Sequence, residues 1–384
     1  MKRTVCIVLV ALVLLGILPG KAQAVELDVA GKSAVLMDAA TGTILYESNS
    51  HEPLAPASVT KVMTLLLIME AIDSGSISWN DTVTASKAAA AKGGSQIFLK
   101  AGETMCVSDM VKSIAVSSAN DCACAMAEHL AGSESAFVDK MNQRAAELGM
   151  NDTHFVNCTG LDDDDAAKEH LTSAHDIALM SRELLKNHPD IKKYTTIWMD
   201  TVRDGAFGLS NTNKMVRFYD GCTGLKTGFT SGAGYCLSSS AQREGMELIA
   251  VVMGCETSAL RFAACKSMLD YGFANFALVS PAPEGSYTVP VVLGKTDGVN
   301  AVPGEEATLL IDKSQRSSVS THVVLDESVN APVSQGQRLG TMEIRAGEQV
   351  LRQIPMVAES TVERLSFWDI FGKILRRVAM VKDS

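Results

Sequence analysis

The order of hydrophobic patterns along the chain predicts an α+β domain, an antiparallel sheet with a helical cluster, followed by a small all-β domain and a C-terminal amphipathic helix. Three observations carry this. Strand-like runs stand at both ends of a helical middle; Pro281-Ala-Pro-Glu-Gly-Ser286 breaks the pattern; and short alternating runs follow that break before a final helical period.

Each element follows in order. Met1-Lys-Arg, an apolar run from Val5 to Leu18 and Pro19-Gly-Lys-Ala-Gln-Ala24 form an n-region, an h-region and an Ala-x-Ala cleavage signal. Residues 1–24 are therefore expected to be a signal peptide, with the mature chain starting near Val25 outside the cytoplasm; an uncleaved anchor is the alternative, but the run is short for a span. Residues 25–280 form the first domain. Ser33 to Met37 and Thr43 to Tyr46, around Thr41-Gly42, predict a hairpin. Pro53 and Pro56 hold the chain extended up to Ala57, and Val59 to Asp73 then has helical length and strong helix formers. Helical stretches at Val107 to Val116 and Asp121 to Leu130 flank a tip at Ser118. Gly234 to Ser239 and Leu248 to Met253 predict paired strands, and Leu260 to Phe273 a returning helix. Residues 281–286 are the linker and 287–358 the β-rich domain, which carries no catalytic motif. Within 361–384, helical projection from Leu365 to Val381 collects Phe367, Trp368, Ile370, Phe371, Ile374, Leu375, Val378, Ala379 and Val381 on one half, and Asp369, Lys373, Arg376 and Arg377 on the other. That pattern predicts a helix lying in a membrane surface, with packing on the β domain as the alternative.

Three short motifs carry chemistry. Ser58-Val-Thr-Lys61 occurs once, Lys226-Thr-Gly228 occurs once, and Ser118-Ala-Asn120 sits at the interhelical tip, although Ser-x-Asn also occurs at Ser78 and Ser328. A serine hydroxyl needs a base within hydrogen-bond reach, and a lysine supplies one only where its neutral form is favoured. At a helix start, Ser58 and Lys61 lie one turn apart, and unpaired N–H groups there favour an oxyanion. Alone each motif is weak; in this order they describe a serine acyl-transfer site.

With these motifs on the page, the chain resembles the penicillin-binding serine peptidases, and in particular the low-molecular-mass D-alanyl-D-alanine carboxypeptidases of the sporulation type. Asp38 to Tyr46, Ala55 to Lys61, Asn151 to Asn157, Gly160-Leu-Asp162, Thr172 to Asp176, Asn211 to Lys214 and Ala250 to Gly254 also match in order and spacing, from about Gly31 onward. The resemblance implies a β-lactamase/transpeptidase-like fold. It implies Ser58 as nucleophile, Lys61 as general base, Ser118 as proton relay and Asn120 as a hydrogen-bond partner of substrate and lysine. Lys226, Thr227 and Gly228 would line the substrate strand, and the N–H groups of Ser58 and Phe229 would form the oxyanion hole. Arg203 and Arg261 are the two candidates for the substrate carboxylate. Implied partners are peptidoglycan stem peptides ending in D-Ala-D-Ala, β-lactam antibiotics and, through the C-terminal helix, the outer face of the cytoplasmic membrane. No cofactor or metal is implied.

Composition narrows the remaining classes. A net charge of −10 with scattered basic residues speaks against nucleic acid as a partner. Asp162 to Asp165 is contiguous rather than alternating and reads as a solvated loop, not a calcium site. No Gly-x-Ser-x-Gly or His-Glu-x-x-His is present; His129 and His175 read as structural, while His170 stands near a loop bordering the cleft in similar proteins. Of nine cysteines, Cys6 lies in the signal peptide; the other eight read as small buried hydrophobes, with a Cys222–Cys236 bridge as the sharper expectation. A β-lactamase would share the three motifs, but no glutamate in a recognisable loop between Asn120 and Lys226 stands ready to activate a deacylating water. A non-catalytic penicillin-binding surface protein would have little reason to keep all five motif side chains.

Overall fold

A computed structural model describes residue 27 and residues 29–378, apart from 164. The expected signal peptide lies outside the described residues. The first domain is built on a five-stranded antiparallel sheet in the spatial order Ile44–Ser48, Ser33–Asp38, Met246–Cys255, Gly234–Arg243, Cys222–Thr230. Strand alternation sends Val35, Met37, Ile249, Val251 and Met253 into a helical core, and Ala34, Leu36, Leu248, Ala250 and Val252 towards the helix Ser258–Asn275. Both faces are covered, so these strands are apolar at nearly every position rather than at every second one. The Lys-Thr-Gly strand, Cys222–Thr230, is the edge of the sheet.

The helix Lys61–Asp73 buries Val62, Met63, Leu65, Leu66, Ile68 and Met69, leaving it no polar face of any width. A helix apolar all round belongs inside a core, and this one is packed by Val107–Ser117, Asn120–Ala131 and Ala174–Asn187. The helical start differs from the sequence reading. Ala57–Thr60 forms a 3₁₀ turn and the α-helix begins only at Lys61. The tighter turn places i and i+3 directly above one another, which brings Ser58 and Lys61 into register.

The expected Cys222–Cys236 bridge is absent: all eight cysteines from Cys106 to Cys265 are free. Strand register explains it. Cys222 pairs with Ala241 and Cys236 with Gly228, so the two thiols stand at opposite ends of one hairpin. Six residues of strand separate them, roughly 20 Å at the usual rise, far beyond disulfide reach.

Beyond the first domain, a six-stranded sheet buries Val289, Val299, Leu339, Met342, Ile344, Ile354 and Met356. The strand Phe276–Val279 precedes the 281–286 break, yet it pairs with Leu309–Asp312 beyond it. The last described element is the helix Phe367–Val378, started by a reciprocal cap in which Asp369 accepts from the Ser366 N–H at 2.8 Å and Ser366 Oγ accepts from the Asp369 N–H at 3.2 Å. Phe367 and Trp368 on it are more than 70 % exposed.

Two leucines on helices test this division. Leu66→Ala should lower the unfolding free energy by about 2–5 kcal/mol, because it leaves a cavity in a closed core. Leu375→Ala, on the exposed terminal helix, should stay within about 0.5 kcal/mol. Denaturant titration of both variants checks the contrast.

Candidate active site

Lys61 is completely buried, and its Nζ lies 2.9 Å from Ser58 Oγ and 2.7 Å from the Thr159 carbonyl oxygen. Burial disfavours the ammonium and brings its pKa down to about 7, with Cys158 and Asp121 pulling weakly the other way. The amine is thus neutral for a substantial fraction of the time near neutral pH. At 2.9 Å the neutral amine can accept the Ser58 hydroxyl proton.

Backbone packing clamps this turn from two sides. A Cβ at Gly228 of the Lys-Thr-Gly strand would stand 2.5 Å from the Pro56 carbonyl oxygen and 3.2 Å from Ala57 Cβ. A Cβ at Gly160 would stand 1.8 Å from the Ala57 carbonyl oxygen, and Gly160 has φ +78°. Only glycine permits either approach. Between these contacts Ala57, the residue before Ser58, is held at φ +48°, a left-handed conformation that costs a non-glycine residue roughly 1–2 kcal/mol.

Ser118 closes the helix Val107–Ser117 in the left-handed conformation, φ +63°, and Asn120 opens the next helix. Asn120 is fixed on the segment 93–95: its N–H donates to the Ser95 carbonyl at 2.7 Å and its Nδ2 to the Gly93 carbonyl at 2.7 Å. Ser118 Oγ and Asn120 Oδ1 are buried with no protein partner among the described residues. Such atoms cost about 1–3 kcal/mol each unless something polar meets them.

The third motif is tied to the second through Thr212. Thr227 Oγ1 donates to Thr212 Oγ1 at 2.7 Å, and the Thr212 N–H donates to the Val116 carbonyl at 3.2 Å, two residues before Ser118. Asn211 and Asn213 spend their side chains on the carbonyls of Ile197 and Gly224, fixing Thr212 between them. Lys226 is buried, and desolvation, then Lys61, then Arg261 push its pKa well below the ordinary range. Phe229 is 52 % exposed and stacks on Tyr235 with centroids 4.2 Å apart.

Of the two arginines, the structure brings Arg261 to the motif strand and takes Arg203 away from it. Arg261 donates to the Gly228 carbonyl at 2.8 Å and lies over the rings of Tyr235 and Phe262. Its Nε has no partner, and no carboxylate pairs with it among the described residues. Arg203 is spent on Glu103 at 2.7 Å and on the carbonyls of Ile97 and Phe98. Its guanidinium braces the loop that Asp121 holds from within, through the N–H groups of Ile97 and Leu99.

Sequence reasoning missed the Thr159 carbonyl, Thr212 and Asp121. Asp121 had a visible signal, a carboxylate placed directly after the Ser-x-Asn motif. Backbone carbonyls leave none. The grouping of Glu70, Glu183 and His188 has metal-like spacing, but Arg144 already bridges both carboxylates at 2.7 Å and His188 pairs with Asp73 at 2.6 Å.

Similarity to known proteins agrees with this geometry. Residues 20–257 match the D-alanyl-D-alanine carboxypeptidase family and 276–364 match the penicillin-binding protein 5 C-terminal domain. The chain is 41 % identical over 381 residues to the D-alanyl-D-alanine carboxypeptidase DacF of Bacillus subtilis, covering 96 % of each chain. It is 33 % identical to DacC of Escherichia coli, covering 92 % of this chain and 88 % of that one. Penicillin-binding protein 5 of Haemophilus influenzae superposes with a TM-score of 0.76 at 29 % identity, over 88 % of this chain and 98 % of that chain. Penicillin-binding protein D2 of Listeria monocytogenes in its ampicillin-bound form superposes at 0.59 with 31 % identity, over 65 % of this chain and 99 % of that chain. With Ser58 2.9 Å from a buried lysine, the turn before it packed against a Lys-Thr-Gly strand, and matches along nearly the whole chain, the protein belongs to the D-alanyl-D-alanine carboxypeptidase family of serine peptidases.

Proposed function

We propose that this carboxypeptidase removes the terminal D-alanine of peptidoglycan stem peptides through an acyl-enzyme on Ser58, and that the 2.9 Å contact between Ser58 Oγ and the buried Lys61 amine carries the chemistry. Lys61 takes the hydroxyl proton as Oγ attacks the carbonyl carbon of the penultimate D-alanine. The oxyanion is met by the N–H groups of Ser58 and Phe229. Ser118 passes a proton to the departing amine, the C–N bond breaks, and water then releases the acyl group from Ser58. Asn120, with Oδ1 unpartnered, hydrogen-bonds the substrate, which lies along Lys226, Thr227 and Gly228. Among the described residues Arg261 is a buried cation without a counter-ion, a situation that costs several kcal/mol, and the substrate's terminal carboxylate would supply the missing charge. Penicillins acylate the same serine.

The protein is proposed to act outside the cytoplasm, exported by the 1–24 segment and held at the membrane face by its last helix. Exposed Phe367, Trp368, Phe371, Ile374 and Leu375 support that reading. Among the described residues no helix is long and apolar enough to cross a membrane, so attachment would be within the interface.

Three outcomes test the reading. Ser58→Ala should abolish both D-alanine release from a D-Ala-D-Ala peptide and labelling by a fluorescent penicillin, while Lys61→Ala should slow acylation by about 10²–10⁴-fold; persistent turnover in Ser58→Ala would sink the assignment. Because burial lowers the Lys61 pKa to about 7, the base is lost as pH falls. The second-order acylation constant should therefore decline below pH 7 by about tenfold per unit, and a flat profile between pH 5 and 8 would contradict it. Truncation before Leu365 should shift the protein from anionic vesicles to the supernatant in a sedimentation assay while hydrolysis of soluble peptide persists.

A further inference from the structure

The mechanism leaves one buried titratable side chain beside the nucleophile unused. His170, 3 % exposed, follows the short 3₁₀ turn Ala166–Glu169 and lies against Phe155 with ring centroids 5.6 Å apart. Its Nδ1 accepts the Val156 N–H at 3.1 Å. A backbone N–H can only donate, so Nδ1 carries no proton and the neutral ring holds its hydrogen on Nε2. Nε2 lies 2.8 Å from Thr60 Oγ1, and Thr60 Oγ1 donates onward to the Ala57 carbonyl at 2.8 Å. The chain of donors has one direction: Val156 N–H to His170, His170 to Thr60, Thr60 to Ala57. It ends on the residue with φ +48° that immediately precedes Ser58.

We infer that His170 is a positioning residue of the acylation step, acting through Thr60 to hold the strained Ala57–Ser58 turn at the angle that keeps the Ser58 hydroxyl on Lys61. This rests on the Ser58 reading above. Without the imidazole hydrogen, the Thr60 hydroxyl is free to rotate away from the Ala57 carbonyl, and the turn loses a restraint against relaxing its left-handed residue. A displacement of about 1 Å at the nucleophile is enough to cost about 10²-fold in rate. The ring suits the task because it stays uncharged: burial, then His154, then Lys61 hold its pKa at about 4. Lys61 can therefore change protonation during turnover while the brace beside it does not.

The test separates binding from acylation by rapid mixing with a chromogenic penicillin, using Thr60→Val, Thr60→Ser, His170→Phe and the double variant Thr60→Val/His170→Phe. Thr60→Val and His170→Phe should each lower the limiting acylation rate constant by about tenfold or more, with the dissociation constant of the non-covalent complex held within about threefold. Thr60→Ser, which keeps the hydroxyl, should recover most of the rate. The double variant should be no slower than the slower single one within about threefold, because both substitutions cut one chain. Multiplying losses, normal acylation in Thr60→Val, or losses confined to binding would overturn the inference. Should His170→Phe fail to fold, the Thr60→Val and Thr60→Ser pair decides alone. Labelling that survives in Ser58→Ala would instead remove the Ser58 reading, a separately visible result.

Discussion

An ammonium taken out of water costs several kcal/mol even after the protein relaxes around it, and Lys61 has no solvent contact at all. The fold must therefore either pair that charge or let it go. No carboxylate lies in salt-bridge contact with Lys61 among the described residues; the partners of its amine are a hydroxyl and a carbonyl. Neither stabilises a charge as an anion would, so the amine sheds its proton far more readily than an exposed lysine. Reactivity here follows from dryness, and dryness follows from how the surrounding elements pack.

That requirement accounts for several local oddities together. The turn that leads into Ser58 and Lys61 is approached closely by backbone where a side chain is missing: Gly160 from the loop, Gly228 from the sheet edge. Between these approaches Ala57 stands in a left-handed conformation. The helix directly after Ser58 buries apolar side chains on nearly every side. Near Ser58 the basic side chains are Lys61, Lys226 and Arg261, and burial presses both lysines towards their neutral forms.

How far the sequence could be read follows from which interactions are local. Ser58 and Lys61 are one turn apart, so their meeting is a property of a single segment. The hairpin at 33–48, the paired strands at 234–255 and the tip at Ser118 are likewise set by local alternation and by turn chemistry. Long-range choices were not legible in the same way. Arg203 and Arg261 are equivalent as letters, and only the packing of the helix Ser258–Asn275 behind the sheet, against the diversion of Arg203 to Glu103, tells them apart. The Cys222–Cys236 expectation failed because flanking a strand in sequence is the opposite of being adjacent across it: antiparallel register separates the two ends. The Thr159 carbonyl could not be found at all, since every residue has one.

Arg261 is left with hydrogen-bonding capacity unused at the edge strand. One nitrogen is committed to the Gly228 carbonyl, which fixes the guanidinium against the strand along which substrate would lie, while Nε is buried without a partner among the described residues. Aromatic faces at 5.2 Å and 4.9 Å offset part of the cost of burying the cation. They do not neutralise it. A peptide with a free terminal carboxylate would complete the charge balance, whereas one blocked as an amide would leave the cation buried and would pay for its own desolvation as well. On the proposed reading, that difference between a free and a blocked chain end would let Arg261 contribute to discrimination between chain end and chain interior.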